Sequence, residues 1–157
     1  MPRLAEQAGA YGPRDRLVGL LLPLADRHLL LPNVAIAELV AYRPPLAIEG
    51  QPAWHLGQIS WRDQCLPLLD FEAACDAPVV RGEGARIVIL NAIGDSDRRF
   101  IALLIQGIPR SCRLDAQLSY VDLPLARFEL AAVQVGEVVA RVPDIEGLEG
   151  LLAGVGG

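Results

Sequence analysis

Apolar residues in this chain fall in short runs and period-two alternations, punctuated by Gly, Pro and Asp, and sustained helical spacing is scarce. Leu17–Leu24 reads as a strand, and Ala25-Asp26-Arg27 as the turn into a second strand at His28–Leu31. After Pro32, Asn33 has N-cap character, which predicts a short helix over Val34–Ala41 stopped by Pro44-Pro45. On such a helix Ile36, Leu39 and Val40 share a face and leave Glu38 near its edge. Leu46–His55, interrupted by Gly50 and Pro52, reads as loop. Gln58–Arg62 and Gln64–Leu69 read as strands joined at Asp63. Arg86–Ala92 and Arg98–Gln106 predict a hairpin turning at Gly94-Asp95-Ser96-Asp97, with a further strand over Ile108–Arg113. The last two strands, Glu129–Val135 and Glu137–Val142, meet at Gly136.

An internal echo accompanies this pattern. Pro67-Leu68-Leu69-Asp70-Phe71-Glu72 and Pro143-Asp144-Ile145-Glu146 both place Pro and Asp after an apolar strand and before a helix-like segment, which points to two related β-units. About nine short strands with one or two short helices predict an all-β barrel or sandwich architecture rather than βαβ repeats.

Composition narrows the function. With 52% hydrophobic and 21% charged residues over 157 positions, the chain has enough apolar material for one domain or two small lobes sharing a core. A net charge of −5 argues against nucleic acid as a partner. All 14 basic residues are arginines, which removes Schiff-base chemistry, a lysine general base and a Walker-A phosphate loop. The opening MPRLAEQAGAYGPRDR lacks the apolar core of a signal peptide, and Leu17–Ala25 is too short to span a bilayer, so no membrane insertion is expected. Three scattered cysteines, Cys65, Cys75 and Cys112, fit a reduced cytoplasm.

No arrangement of residues looks built for catalysis. His28 and His55 are the two histidines, the first in a hairpin and the second in a loop, and both read best as packing or solvated residues. HExxH and CxxC spacings are absent, as is a GxSxG nucleophile elbow. Cys65 and Cys112 lie in apolar strands and read as core, and Cys75 has no cation beside it in sequence. Neither cofactor nor metal is expected.

The densest signal is Gly57-Gln58-Ile59-Ser60-Trp61-Arg62-Asp63-Gln64-Cys65-Leu66-Pro67-Leu68-Leu69-Asp70. It reads as a strand, a tight turn and a second strand ending in an acidic cap, with Arg62 placed to project from the turn or to brace loop carbonyls. Trp61 is of a type enriched in protein interfaces, although more often core. This stretch resembles the CheW family pattern in which a glycine, an apolar residue, an Arg-Gly turn, a Pro and an Asp follow in fixed order, matched by Gly57, Ile59, Arg62, Pro67 and Asp70. Upstream, Leu31-Pro32, Val34 and Glu38-Leu39-Val40 are similar to that family's helix entry. Downstream, Arg86-Ile87-Val88-Ile89-Leu90, Phe100–Ile105 and Val138–Asp144 follow in the order of its second lobe. There are three departures: Asp63 stands in place of the turn glycine, Ser60-Trp61 in place of Asn-Leu, and Gln106-Gly107 in place of Val-Asp.

The resemblance implies two small SH3-like β-barrel lobes around a shared apolar centre over residues 16–152, between a flexible tail at 1–15 and a short C-terminal tail at 153–157. It further implies a non-catalytic cytoplasmic adaptor recruited to membrane-associated receptor arrays. Such an adaptor binds the regulatory domain of a CheA-like histidine kinase on one surface and the cytoplasmic tip of a chemoreceptor on another. By position, Arg62, Glu38, Gly57, Ile59, Trp61 and Asp63 are the candidates for partner contact. The departures favour a divergent member, such as an auxiliary coupling protein of a type IV pilus pathway. From another class, a β-barrel binding a small ligand in an apolar cavity is the competing reading.

Overall fold

The computed structural model describes residues 18–77, 82–94, 99–114 and 118–155. The described chain opens with β1 (Val18–Pro23), β2 (His28–Pro32), a 3₁₀ turn at Asn33–Ala35, β3 (Ile36–Ala41), β4 (His55–Trp61) and β5 (Gln64–Leu69). It continues through the helix α1 (Phe71–Ala74), β6 (Arg86–Asn91), β7 (Phe100–Ile105), β8 (Arg110–Arg113) and β9 (Ser119–Tyr120). It closes with β10 (Glu129–Val135), β11 (Val138–Pro143) and the helix α2 (Ile145–Gly154). The all-β expectation holds, in two curled sheets. One has the order β8-β1-β2-β11-β10-β9, the other β3-β6-β7-β5-β4. The second is built from one contiguous stretch of chain, while the first combines both ends of the described chain. We call the first the outer lobe and the second the inner lobe.

The continuous apolar runs are explained by burial on both strand faces. In β6, Ile87 and Ile89 point into the inner lobe, whereas Val88 and Leu90 join a central layer between the sheets. In β7, Ala102 and Leu104 point inward, and Ile101, Leu103 and Ile105 join that layer. The outer lobe repeats the division, with Leu21 and Leu30 inside and Leu22, Leu29 and Leu31 in the central layer. Period two persists, but both faces of these strands require apolar residues.

The internal echo corresponds to a repeated topology. Each lobe contains the series antiparallel, antiparallel, parallel, antiparallel, as β3-β6-β7-β5-β4 and as β8-β1-β2-β11-β10. In each, the strand before the helix ends at an Asp whose side chain caps that helix. Asp70 accepts from Ala73 N at 2.9 Å, and Asp144 accepts from Gly147 N at 2.9 Å. The outer lobe is a cyclic permutation of the inner one, because its β6-β7 equivalents, β1 and β2, come first in the chain.

Both helices reach across to the opposite lobe. Glu72 of α1 accepts hydrogen bonds from Ala25 N at 3.1 Å and Asp26 N at 2.6 Å, in the turn between β1 and β2. Glu149 of α2 accepts from Ile93 N at 2.7 Å and Gly94 N at 3.1 Å, just after β6. Both glutamates are buried. Each lobe's helix thus captures the backbone amides of the other lobe's hairpin, satisfying turn donors that would otherwise be desolvated without partners.

The structure corrects several local expectations. Residues 36–41 form a strand rather than a helix, and Asn33 makes no side-chain cap. The ladder to β6, with Leu39 opposite Val88 and Val40 opposite Ile87, outweighs the local cap signal. Leu39 is therefore exposed, while Glu38 lies half-buried on the alternate face with Val40. His55 is a buried residue of β4, not a loop residue. Cys65 is exposed, since β5 emerges from its turn before entering the core at Leu66. The expected turn at Asp95-Ser96-Asp97 and the tail at 1–15 lie outside the described residues.

Leu103→Ala should remove about 2–5 kcal/mol of stability, because Leu103 is fully buried in the layer both lobes share. Urea unfolding would show it as a lower midpoint in a single transition, whereas two separated transitions would mean that the lobes unfold independently.

Candidate functional site

The β4–β5 hairpin turns on Arg62 and Asp63, both left-handed, with φ of 49° and 62°. Two consecutive positive φ values match a two-residue turn whose twist suits the flanking strands. Glycine, the residue best fitted to that backbone, is missing from both positions. In compensation, the bend carries a long cation outward, with two-thirds of the Arg62 side chain accessible.

That cation is pinned from two sides. Its guanidinium carbon lies 4.6 Å from the centroid of the Trp61 ring, and its Nη2 donates to Glu38 Oε1 at 3.1 Å. Trp61 Nε1 donates to the same oxygen at 3.0 Å. Trp61 itself is buried and packs edge-on against Phe100, with ring centroids 4.8 Å apart. Glu38 belongs to β3 and Trp61 to β4, which are the two edge strands of the inner sheet. Their contact is therefore made across the gap that the curl of the sheet leaves between its edges. Three side chains close a seam that no strand ladder closes. As an exposed pair, Glu38 and Arg62 contribute about 0–1 kcal/mol, so the arrangement matters more for where it holds Arg62 than for stability.

The same seam is reinforced nearby. Arg43 Nη2 donates to the Ser60 carbonyl, and Leu46 exchanges two backbone hydrogen bonds with Gln58 at 2.8 and 2.9 Å. The outer edge of β4 is thus occupied at Gln58 and at the Ser60 carbonyl. Arg43 was not among the expected residues. It stands next to Pro44-Pro45, and no local pattern connects it to a strand 17 positions away.

The expected residues divide into two groups. Glu38, Trp61 and Arg62 meet, with Asp63 beside them in the turn. Gly57 and Ile59 serve the backbone and the core. Gly57 has φ of 129° in a bulge of β4, where a Cβ would collide with the Leu46 carbonyl, and Ile59 is buried inside the inner lobe.

Among the described residues, no group of three or more His, Cys, Asp or Glu side chains is placed to hold a metal ion. Cys75 does have a cation near it, Arg27, but burial pushes its thiol up to about 11. Its Sγ donates to the Arg127 carbonyl. Burial likewise raises Asp70, which is occupied as a helix cap. An open cleft of about 350 Å³ in the outer lobe is lined by Leu30, Leu114, Leu118, Tyr120, Val133 and Val142 with Pro32, and it can receive an apolar group. No described helix is long and apolar enough to cross a membrane.

Comparison with known proteins follows this geometry. The model of the CheW-like domain matches residues 18–150. Among solved structures, the scaffolding protein CheW from Thermoanaerobacter tengcongensis is similar, with a TM-score of 0.69 at 15% sequence identity, covering 82% of this chain and 88% of that one. Among curated proteins none matches.

Asp63→Gly should stabilise the protein by ~0.5–1 kcal/mol, because it relieves a left-handed residue at the turn while losing part of the gain to unfolded-chain entropy. Thermal and urea unfolding beside the parent protein would check it, and a loss of stability would show that the Asp63 side chain contributes a contact of its own.

Proposed function

The chain belongs to the CheW-like domain family, and from that membership we propose that it is a non-catalytic adaptor in bacterial chemosensory signalling, coupling chemoreceptors to a CheA-type histidine kinase. The observation that carries the site assignment is Arg62, an exposed guanidinium held by Trp61 and Glu38 at the rim of the inner lobe. A guanidinium fixed in this way presents its remaining N–H donors with little conformational freedom left to lose, which favours hydrogen bonding to a partner's carboxylates or carbonyls. Glu38 and Trp61 then act by positioning. Asp63 sits at the same tip and sets the sign of charge beside it. Gly57 and Ile59 maintain the strand that carries the tip.

An adaptor of this size works through small, reversible contacts, which become durable when several are made at once in an array. The proposed setting is the cytoplasmic face of receptor clusters. The regulatory domain of the kinase is the partner proposed for the Arg62 rim, with the receptor's cytoplasmic tip on a separate face. The non-glycine turn at Arg62-Asp63 is the feature that favours a divergent role within this class, such as an auxiliary coupling protein of a type IV pilus pathway. The apolar cleft of the outer lobe is what favours the other reading, a small-ligand barrel.

Calorimetric titration against the regulatory domain of a CheA-type kinase from the same cell tests the proposal. Saturable binding is expected, weakened about tenfold or more by Arg62→Ala, which is about 1.4 kcal/mol. Binding that ignores the substitution would move the contact elsewhere on the surface. No binding to any such kinase would remove the coupling role.

A further inference from the structure

The repeated topology lets the interiors of the two lobes be compared position by position. The capping residues Asp70 and Asp144 align β5 with β11, and their ladder partners β4 and β10 follow. At four interior positions the inner lobe has Ile59, Trp61, Leu66 and Leu68. The outer lobe has Val133, Val135, Ala140 and Val142 there. The parallel pairings extend the match, since Leu68 lies opposite Ala102 and Val142 follows the Arg141–Leu29 pair to stand beside Leu30. Two residues further along, Leu104 opposite Ile87 corresponds to Pro32 opposite Gly19. Only Leu30 is larger than its counterpart. The inner barrel is filled by Trp61 packed on Phe100, whereas the described interior cluster of the outer lobe contains no aromatic ring.

The volume left by these smaller side chains is the cleft of about 350 Å³. Leu30, Pro32, Val133 and Val142 line it, and all four are among the positions just compared. Leu114 reaches the cleft across Gly19, where a Cβ would fall 2.7 Å from Leu114 Cδ2. Tyr120 forms the rim from β9, the strand without a counterpart in the inner lobe, and is 84% exposed although it pairs with Val133. We propose that the outer lobe is a ligand-binding barrel whose cleft takes the unbranched hydrocarbon chain of a neutral amphiphile, the head group remaining at the Tyr120 rim.

Charge and size select this occupant. None of the lining residues is charged and the chain carries a net charge of −5, so an anionic head would meet no cation at the cleft wall. A charged group drawn inside would be desolvated without a partner. The volume is at the low end for ligand sites, which suits one slender chain better than a fused ring system. Water in such a cleft finds too few hydrogen-bond partners, and hydrocarbon displaces it favourably. This occupancy rests on the small-ligand reading of the cleft and leaves the Arg62 contact on the other lobe untouched, so one molecule can hold both a ligand and a kinase.

The test is a methyl NMR titration of the full chain with n-hexanol, n-octanol, n-decanol and, separately, octanoate, with no kinase present. Saturable shifts are expected at the Leu30, Val133 and Val142 methyls and none at Ile59 or Leu66 in the filled inner lobe. Affinity should rise about fourfold for each methylene added. Octanoate at about pH 7 should bind roughly tenfold more weakly than octanol. Val142→Phe, which fills the cleft, should abolish saturable binding, and Tyr120→Ala should weaken it about fivefold. Shifts that stay linear in alkanol, spread over both lobes or ignore chain length would overturn the proposal. Tighter binding of octanoate would keep a ligand cleft but overturn the neutral head. Methyl shifts that follow protein concentration without alkanol would assign the face to a second copy, and contacts from residues 1–17 would assign it to the chain itself. Either would overturn the proposal, while the kinase titration would still decide the adaptor role. Should Val142→Phe fail to fold, the chain-length series and Tyr120→Ala still decide.

Discussion

Leu22, Leu29, Leu69, Leu103 and Leu148 meet in one layer between the two sheets, drawn from both lobes and from α2. Neither lobe could bury that layer alone, so the inner and outer sheets must fold against each other or leave a large apolar face in water. The rest of the architecture serves this constraint. Strands β1, β2, β6 and β7 give up the usual polar face. The two helices are placed where they finish the layer and reach the opposite lobe's turns. Non-directional apolar packing brings the lobes together, and the amides captured by Glu72 and Glu149 fix their relative position.

Repetition accounts for how a chain this short builds two sheets on one plan. The inner lobe is continuous, whereas the outer lobe is cut and closed through the parallel pairing of β2 with β11. That pairing ties both ends of the described chain into one sheet, so the outer lobe is complete only after β11 has formed. Long-range contacts of this kind raise the entropy of closure, and folding is expected to be slower than in a helical protein of equal length.

The candidate site lies at the seam of the inner sheet, away from the central layer. A curled sheet that does not close by a ladder leaves two edges close together. Here the edges are spanned by Glu38, Trp61, Arg43 and the Leu46 bridge. The Arg62 turn stands at the end of that seam, so its cation is held by the same contacts that keep the barrel curled. Position and presentation are coupled, which is an economical way to make a rigid contact from a hairpin tip.

Much of this was written locally. Alternation and turn residues mark β4, β5, β10 and β11 to within a few positions, and Asp70 and Asp144 announce the helices they cap. The Gly57–Asp70 stretch marks the hairpin that carries Arg62. Three things were decided only by tertiary structure. Residues 36–41 became a strand because a distant ladder partner, Arg86–Leu90, offered more hydrogen bonds and packing than one capped helical turn could. Glu38 reached Trp61 and Arg62 because the sheet curls, and curl is a property of the whole sheet that no single strand encodes. Glu72 and Glu149, ordinary surface residues by composition, became buried clamps because two lobes placed backbone amides opposite them. Local sequence specifies preferences of a few residues at a time, whereas burial and partnership depend on which distant segments the apolar layer brings together.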